Sequence, residues 1–236
     1  MSVLVITGTG TEVGKTVVTA AVAALAHDRG SSVAVIKPAQ TGLAPGEPGD
    51  LAEVGRLSGV TDLHEPARYP DPLSPEAAAR RSGAEPLDRD AVAGLVADLA
   101  GRRDLVLVEG AGGLLVRFGP DGWTMADLAR TLDAPALVVV AAGLGTLNHT
   151  ALTLEVMAGR GLRPAGVVIG CWPKRPDLAE RCNVADLETL TGEPLGGAIP
   201  RGAPAHPDFL GLARAGLAPR YGGVFDATDF RNGVEQ

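Results

Sequence analysis

The segment Gly8-Thr9-Gly10-Thr11-Glu12-Val13-Gly14-Lys15-Thr16 constrains what this chain can fold into more than any other. It follows an apolar run, residues 3–7, and leads into residues 16–28, which have helical length and pattern. A glycine-rich turn between a buried strand and a helix gathers backbone N–H groups and the positive end of a helix at one point, which is what phosphate oxygens require. In such a loop Lys15 reaches the β- and γ-phosphates and the Thr16 hydroxyl is a Mg²⁺ ligand. The spacing departs from the strict pattern by one residue, because the glycine lies at Gly8 and Thr9 holds the position five before Gly14. Glu12 brings a carboxylate into a loop built for anions, and reads either as a solvated helix-entry group or as a magnesium or substrate contact.

Further apolar runs at residues 33–37, 105–109 and 136–141 are rich in Val, Leu or Ile and each precedes a glycine- or proline-containing loop. They read as strands buried on both faces, with 167–170 and 195–199 adding two more. Residues 90–100, 148–161 and 183–191 read as helices. The alternation predicts an α/β, three-layer P-loop NTPase fold, a mostly parallel sheet with helices on both faces. Ligands on such sheets sit beyond the carboxyl ends of the strands. Residues 42–49 and 66–75 read as ordered loops over one edge, residues 1–222 as one domain and residues 223–236 as a loose tail.

Three more loops fall at that ligand edge. The second strand ends in Lys37-Pro38-Ala39-Gln40-Thr41-Gly42, which turns an ammonium either toward the phosphate loop or outward to water. Thr41 is a substrate contact or a turn residue. Glu109 emerges from an apolar run into Gly110-Ala111-Gly112-Gly113, and Mg²⁺ takes one or two such carboxylates beside phosphate oxygens. Asp50 is an N-cap or a third member of a metal site with Thr16 and Glu109. Gly143-Leu144-Gly145-Thr146-Leu147-Asn148-His149 starts a helix whose free N–H groups suit a carboxylate, or are capped by Thr146 or Asn148; His149 reads as structural.

The formal charge of −7 disfavours nucleic acid or an anionic membrane as partner and leaves a small ligand. Two cysteines, Cys171 and Cys182, make neither a disulfide framework nor a zinc spacing, and point to a reducing compartment. The N-terminus lacks a basic lead and reads as a strand, and the longest apolar stretch, residues 134–142, is far short of a membrane span, so a cytoplasmic protein is expected.

Taken in order, Gly8 to Thr16, Lys37-Pro38 with Thr41-Gly42, Val108-Glu109-Gly110-Ala111-Gly112-Gly113, Leu144 to His149 and Ile199-Pro200 resemble the dethiobiotin synthetase family, from Gly8 to about Gly202. The resemblance implies an ATP- and Mg²⁺-dependent cyclo-ligase of biotin biosynthesis. In that chemistry 7,8-diaminononanoate and CO₂ form a carbamate, the γ-phosphate activates it, and the second amine closes the ureido ring. By the same resemblance Lys37, Lys15 and Thr11 are catalytic, and Thr11, Lys37 and Thr41 contact substrate. Glu12, Val13, Gly14, Lys15, Thr16, Val17, Asp50, Glu109, Gly110, Ala111 and Gly112 surround the nucleotide phosphates, and Thr16, Asp50 and Glu109 hold the metal. Gly145, Thr146, Leu147 and Asn148 take the substrate carboxylate for the neighbouring subunit, which implies a homodimer.

The base is assigned to Gly170, Cys171, Pro200, Arg201 and Gly202. Many family members have an Asn-Asp pair where this chain reads Ile169-Gly170-Cys171-Trp172, so weak base discrimination is expected, with CTP or GTP able to replace ATP. Trp172 is read either as stacking on the base or as packed beside Pro173. Two rival readings are an amide synthase of the cobyrinate type, which normally carries a glutaminase domain, and a switch ATPase, which usually has an extra lysine early in the phosphate loop.

Overall fold

In the computed structural model, which describes residues 3–235, the phosphate loop joins β1 (Val3–Gly8) to α1 (Lys15–Asp28). There follow β2 (Val33–Ile36), β3 (Ala39–Thr41), α2 (Asp50–Ser58), β4 (Asp62–His64), β5 (Ala67–Tyr69), α3 (Pro75–Ser82) and α4 (Arg89–Ala100). The second half comprises β6 (Leu105–Glu109), α5 (Met125–Thr131), β7 (Ala136–Val140), α6 (Thr146–Gly159), β8 (Pro164–Trp172), α7 (Leu178–Thr191), β9 (Gly197–Pro200), α8 (Phe209–Gly216) and α9 (Ala227–Glu235).

Seven strands form one sheet in the order β4-β2-β6-β1-β7-β8-β9, and every adjacent pair is parallel. Alternating side chains divide between two apolar layers, as the two-residue period of a strand requires. Val5, Ile36, Val108, Val138 and Ile169 pack with α4, α5, α6 and α7, whereas Leu4, Ile6, Val35, Leu107, Val139 and Ile199 pack with α1, α2 and α8. The three layers are therefore those the sequence predicts. Helix α1 is buried along nearly its whole length, from Val18 to Ala26, because it is wedged against the sheet with α2 and α8 over it; its alanines allow that close approach.

The structure adds elements that hydrophobic periodicity did not expose. Residues 66–75, read as a loop, contain β5, which pairs with β3 in a second, two-stranded parallel sheet; Pro75 then opens α3. Helix α7 starts at Leu178, five residues before the expected position, because Asp177 and Glu180 form a reciprocal capping box. The segment expected as a loose tail carries α9, whose Phe230 packs edge-on against Trp172 and beside Phe225, with ring centroids 5.1 Å apart in both pairs. Trp172 thus has a protein aromatic, Phe230, edge-on against its ring.

The phosphate loop is braced from the far side by β8. Gly14 sits at φ +97°, and a Cβ there would lie 2.3 Å from the Gly170 carbonyl oxygen; a Cβ on Gly170 would lie 2.2 Å from the Val13 carbonyl oxygen. Only two facing glycines let the backbones meet this closely. Gly170→Ala should force the loop and β8 apart and cost about 1–3 kcal/mol, as overpacking does. Denaturant unfolding checks this, and an unchanged midpoint would remove the bracing role of the contact.

Candidate active site

The site is built where β1, β2 and β6 end side by side. The loop after β1 is anchored by the Thr9 N–H, which donates to Val139 O at 3.0 Å. Helix α1 begins at Lys15 with no side-chain cap and no acidic residue in its first turn, so its N–H groups and helix dipole present positive potential to the loop. The Lys15 ammonium folds back to donate to Gly10 O at 2.7 Å. Burial, and next the nearby Lys37 ammonium, push Lys15 down to about 8. A lysine so placed gains from an incoming phosphate the counter-charge its surroundings do not fully supply.

Beside it lies a buried ionic cluster. Lys37, immediately after β2, is 3 % exposed, and Glu109, the last residue of β6, is 0 % exposed. Lys37 Nζ stands 2.5 Å from Asp50 Oδ2 and 2.8 Å from Glu109 Oε1, and also donates to Gly110 O at 3.3 Å. Burial opposes the charge on Lys37, yet the two carboxylates outweigh it and hold its pKa above the usual lysine value. The Thr16 hydroxyl donates to the same Glu109 Oε1 at 2.9 Å, so helix α1 and strands β2 and β6 are joined at one oxygen. Two ammonium groups, Lys15 and Lys37, face two carboxylates, Asp50 and Glu109, and the cluster is close to neutral.

No group of three or more His, Cys, Asp or Glu that could hold a metal occurs among the described residues. A smaller oxygen set is present. Glu109 Oε2 is buried without a protein hydrogen-bond partner, and together with Asp50 and the Thr16 hydroxyl it gives the one-or-two-carboxylate arrangement that Mg²⁺ completes with phosphate oxygens and water. The residues present fit that ion.

A cavity of about 380 Å³ opens over the cluster. Of the residues singled out in the sequence it brings together Thr11, Glu12, Gly14, Lys15, Thr16, Lys37, Thr41, Asp50, Ala111 and Gly112. Glu12 reaches its wall from a left-handed backbone, φ 60°. Gln40 lines the cavity too, and sequence reasoning passed over it; nothing in a lone glutamine two residues past a proline distinguishes it.

Other expected site residues lie apart from this cavity. Cys171 Sγ accepts from Arg201 Nε at 3.3 Å, and the Arg201 N–H donates to Trp172 O at 2.6 Å, tying the β8 and β9 ends together. Gly145 to Asn148 form the start of α6, with Gly145 and Asn148 exposed, Leu147 half-buried and Thr146 buried, its hydroxyl donating to Ala141 O at 2.7 Å. Beside them Leu144 is 93 % exposed, and an apolar groove of about 320 Å³ runs along Leu115, Val116, Leu152 and Val156.

Among the comparisons with known proteins, two sequence relatives carry one family name. Residues 2–207 match a family model described as an AAA domain. The chain is 63 % identical over 233 residues to the ATP-dependent dethiobiotin synthetase of Frankia casuarinae, covering 98 % of each. It is 60 % identical over 232 residues, again 98 % of each, to that of Streptomyces avermitilis. A ParA family ATPase from Chlorobium tepidum shares the fold, with a TM-score of 0.58 over 98 % of both chains at 15 % identity. That likeness is one of fold alone, and the sequence identity gives the family: this chain belongs to the ATP-dependent dethiobiotin synthetase family.

Proposed function

We propose that the cavity over Lys37 is where the γ-phosphate of ATP meets the carbamate formed from 7,8-diaminononanoate and CO₂. The enzyme is an ATP-dependent cyclo-ligase of biotin biosynthesis. The carbamate oxygen attacks the γ-phosphorus, ADP leaves, and the second amine of the substrate then displaces phosphate from the mixed anhydride to close the cyclic urea. An anion attacking a polyanion needs neutralised charge and fixed approach, and no protein nucleophile.

The observation that carries this reading is the buried Lys37 ammonium, held between Asp50 and Glu109 on the cavity floor next to Lys15. Lys15 and the N–H groups of Gly14 to Val17 would cradle the phosphates. Lys37 would hold the carbamate against the γ-phosphate, with Thr11 and Thr41 on the substrate side. Thr16, Asp50 and Glu109 would hold Mg²⁺, which when bound screens the charge of the phosphate oxygens. Glu109, fixed by Thr16 and Lys37, keeps both in register.

The exposed leucines around the start of α6 support a homodimer with shared sites. Leu144, next to Gly145 in the chain, is 93 % exposed, and the partly exposed Leu115 and Leu152 line an apolar groove that also takes in Thr9, His149 and Thr153, a mixture of apolar and polar groups of the kind that subunit contacts use. Base recognition would rest on backbone groups near Gly170 and Gly202, since Cys171 and Arg201 bond each other and Phe230 covers Trp172.

In assays with ATP, Mg²⁺ and bicarbonate, phosphate release should require 7,8-diaminononanoate and yield dethiobiotin by mass spectrometry; Lys37→Ala should lower kcat by about 100-fold or more, with folding verified by circular dichroism. Diamine-independent hydrolysis would contradict the reading. Leu152→Asp should weaken the dimer in sedimentation and lower activity with it, whereas a fully active monomer would exclude shared sites. CTP and GTP should each sustain turnover within about tenfold of ATP, a gap of no more than about 1.4 kcal/mol; larger losses with both would show side-chain readout of the base.

A further inference from the structure

Helix α2 begins at Asp50 without a cap of its own. Its N-cap residue is Gly49, which has no side chain to meet the free N–H groups of the first turn. The Asp50 N–H donates instead to Gln40 Oε1 at 2.9 Å, across the cavity wall, while Gln40 Nε2 donates to Thr41 O at 3.2 Å. Gln40 is buried, and both ends of its amide are therefore committed within the site. Gly49 makes the approach possible: a Cβ there would lie 2.7 Å from Gln40 Oε1. The loop leading to Gly49 is clamped from outside by Arg68, which donates to Ala44 O and Glu47 O and pairs with Glu65 at 2.6 Å.

We propose that Gln40 is a positioning residue, a remote N-cap that fixes the Asp50 carboxylate at Lys37 and couples it to the substrate-side Thr41. A helix start lacking such an acceptor frays, and Asp50 is the first residue of this helix. The carboxylate that meets Lys37 at 2.5 Å is thus held through a bond to its own backbone. A glycine at the N-cap, ordinarily a weak choice beside serine or aspartate, becomes a requirement of the site. The inference rests on the proposed role of Asp50 as a metal ligand.

The test uses the full chain and Mn²⁺, with binding to the protein·β,γ-methylene-ATP complex followed by electron paramagnetic resonance. Gln40→Ala and Gln40→Met should each weaken Mn²⁺ binding about five- to tenfold, the equivalent of one hydrogen bond, and raise the KM for Mg·ATP in parallel with a smaller effect on kcat. Gly49→Ser, added to Gln40→Ala, should recover at least about half of the loss, because residue 49 has an extended backbone, φ −103° and ψ −168°, and a serine there caps locally once the glutamine is gone. Wild-type Mn²⁺ affinity in both single variants overturns the proposal, as does a loss that Gly49→Ser leaves unrelieved. Asp50→Asn separates the two levels: wild-type affinity there overturns the metal reading beneath the proposal, whereas weak binding in Asp50→Asn with intact Gln40 variants overturns the role of Gln40 alone.

Discussion

The carboxylate of Glu109, fully removed from water at the end of a buried strand, is the constraint around which the rest of this structure is arranged. A buried charge is tolerated only when it is paired and hydrogen-bonded, and removing one partner of such a pair typically costs about 3–5 kcal/mol. Glu109 obtains its partners from two other elements, the Thr16 hydroxyl at the start of α1 and the Lys37 ammonium after β2. Strand order follows the same logic, since β6 lies between β1 and β2 and brings all three strand ends together. The cluster is therefore both a lock on the sheet edge and the polar floor of the cavity.

Much of this was legible in the sequence for a physical reason. A lysine or glutamate closing an apolar run has to place its charge at the strand end, and in a parallel sheet all strand ends used by a site face the same way. Lys15, Lys37 and Glu109 are readable on those grounds. Asp50 is harder, because its place depends on the path of residues 42–49, which no periodicity records. Gln40 was not legible at all: its role arises from an amide reaching ten residues along the chain to a helix start, and the compensating signal, a glycine at the N-cap, looks like an ordinary loop glycine.

The C-terminal segment shows the opposite failure. Its polar composition reads as a tail, yet Phe230 and Val234 are four residues apart and fall on one side of a helix, where they pack against the main core. The partners of Phe230, Trp172 and Phe225, are settled by tertiary structure and cannot be recognised from the segment itself. The start of α7 is different, for the Asp177 and Glu180 capping box stands in the sequence and marks the helix start better than the weak apolar pattern of the first turn does.

The strand order carries a consequence for how the molecule is made. The first strand synthesised, β1, is the middle of the sheet, and its two neighbours, β6 and β7, begin only at Leu105 and Ala136. Throughout that interval of translation a short apolar strand has both hydrogen-bonding edges open, the condition under which chains pair wrongly with one another. Helix α1, which follows directly and is rich in alanine, is the one early element able to shelter it. Production of this enzyme should accordingly be governed less by the stability of the finished fold than by how β1 is protected until the ribosome has delivered residue 140.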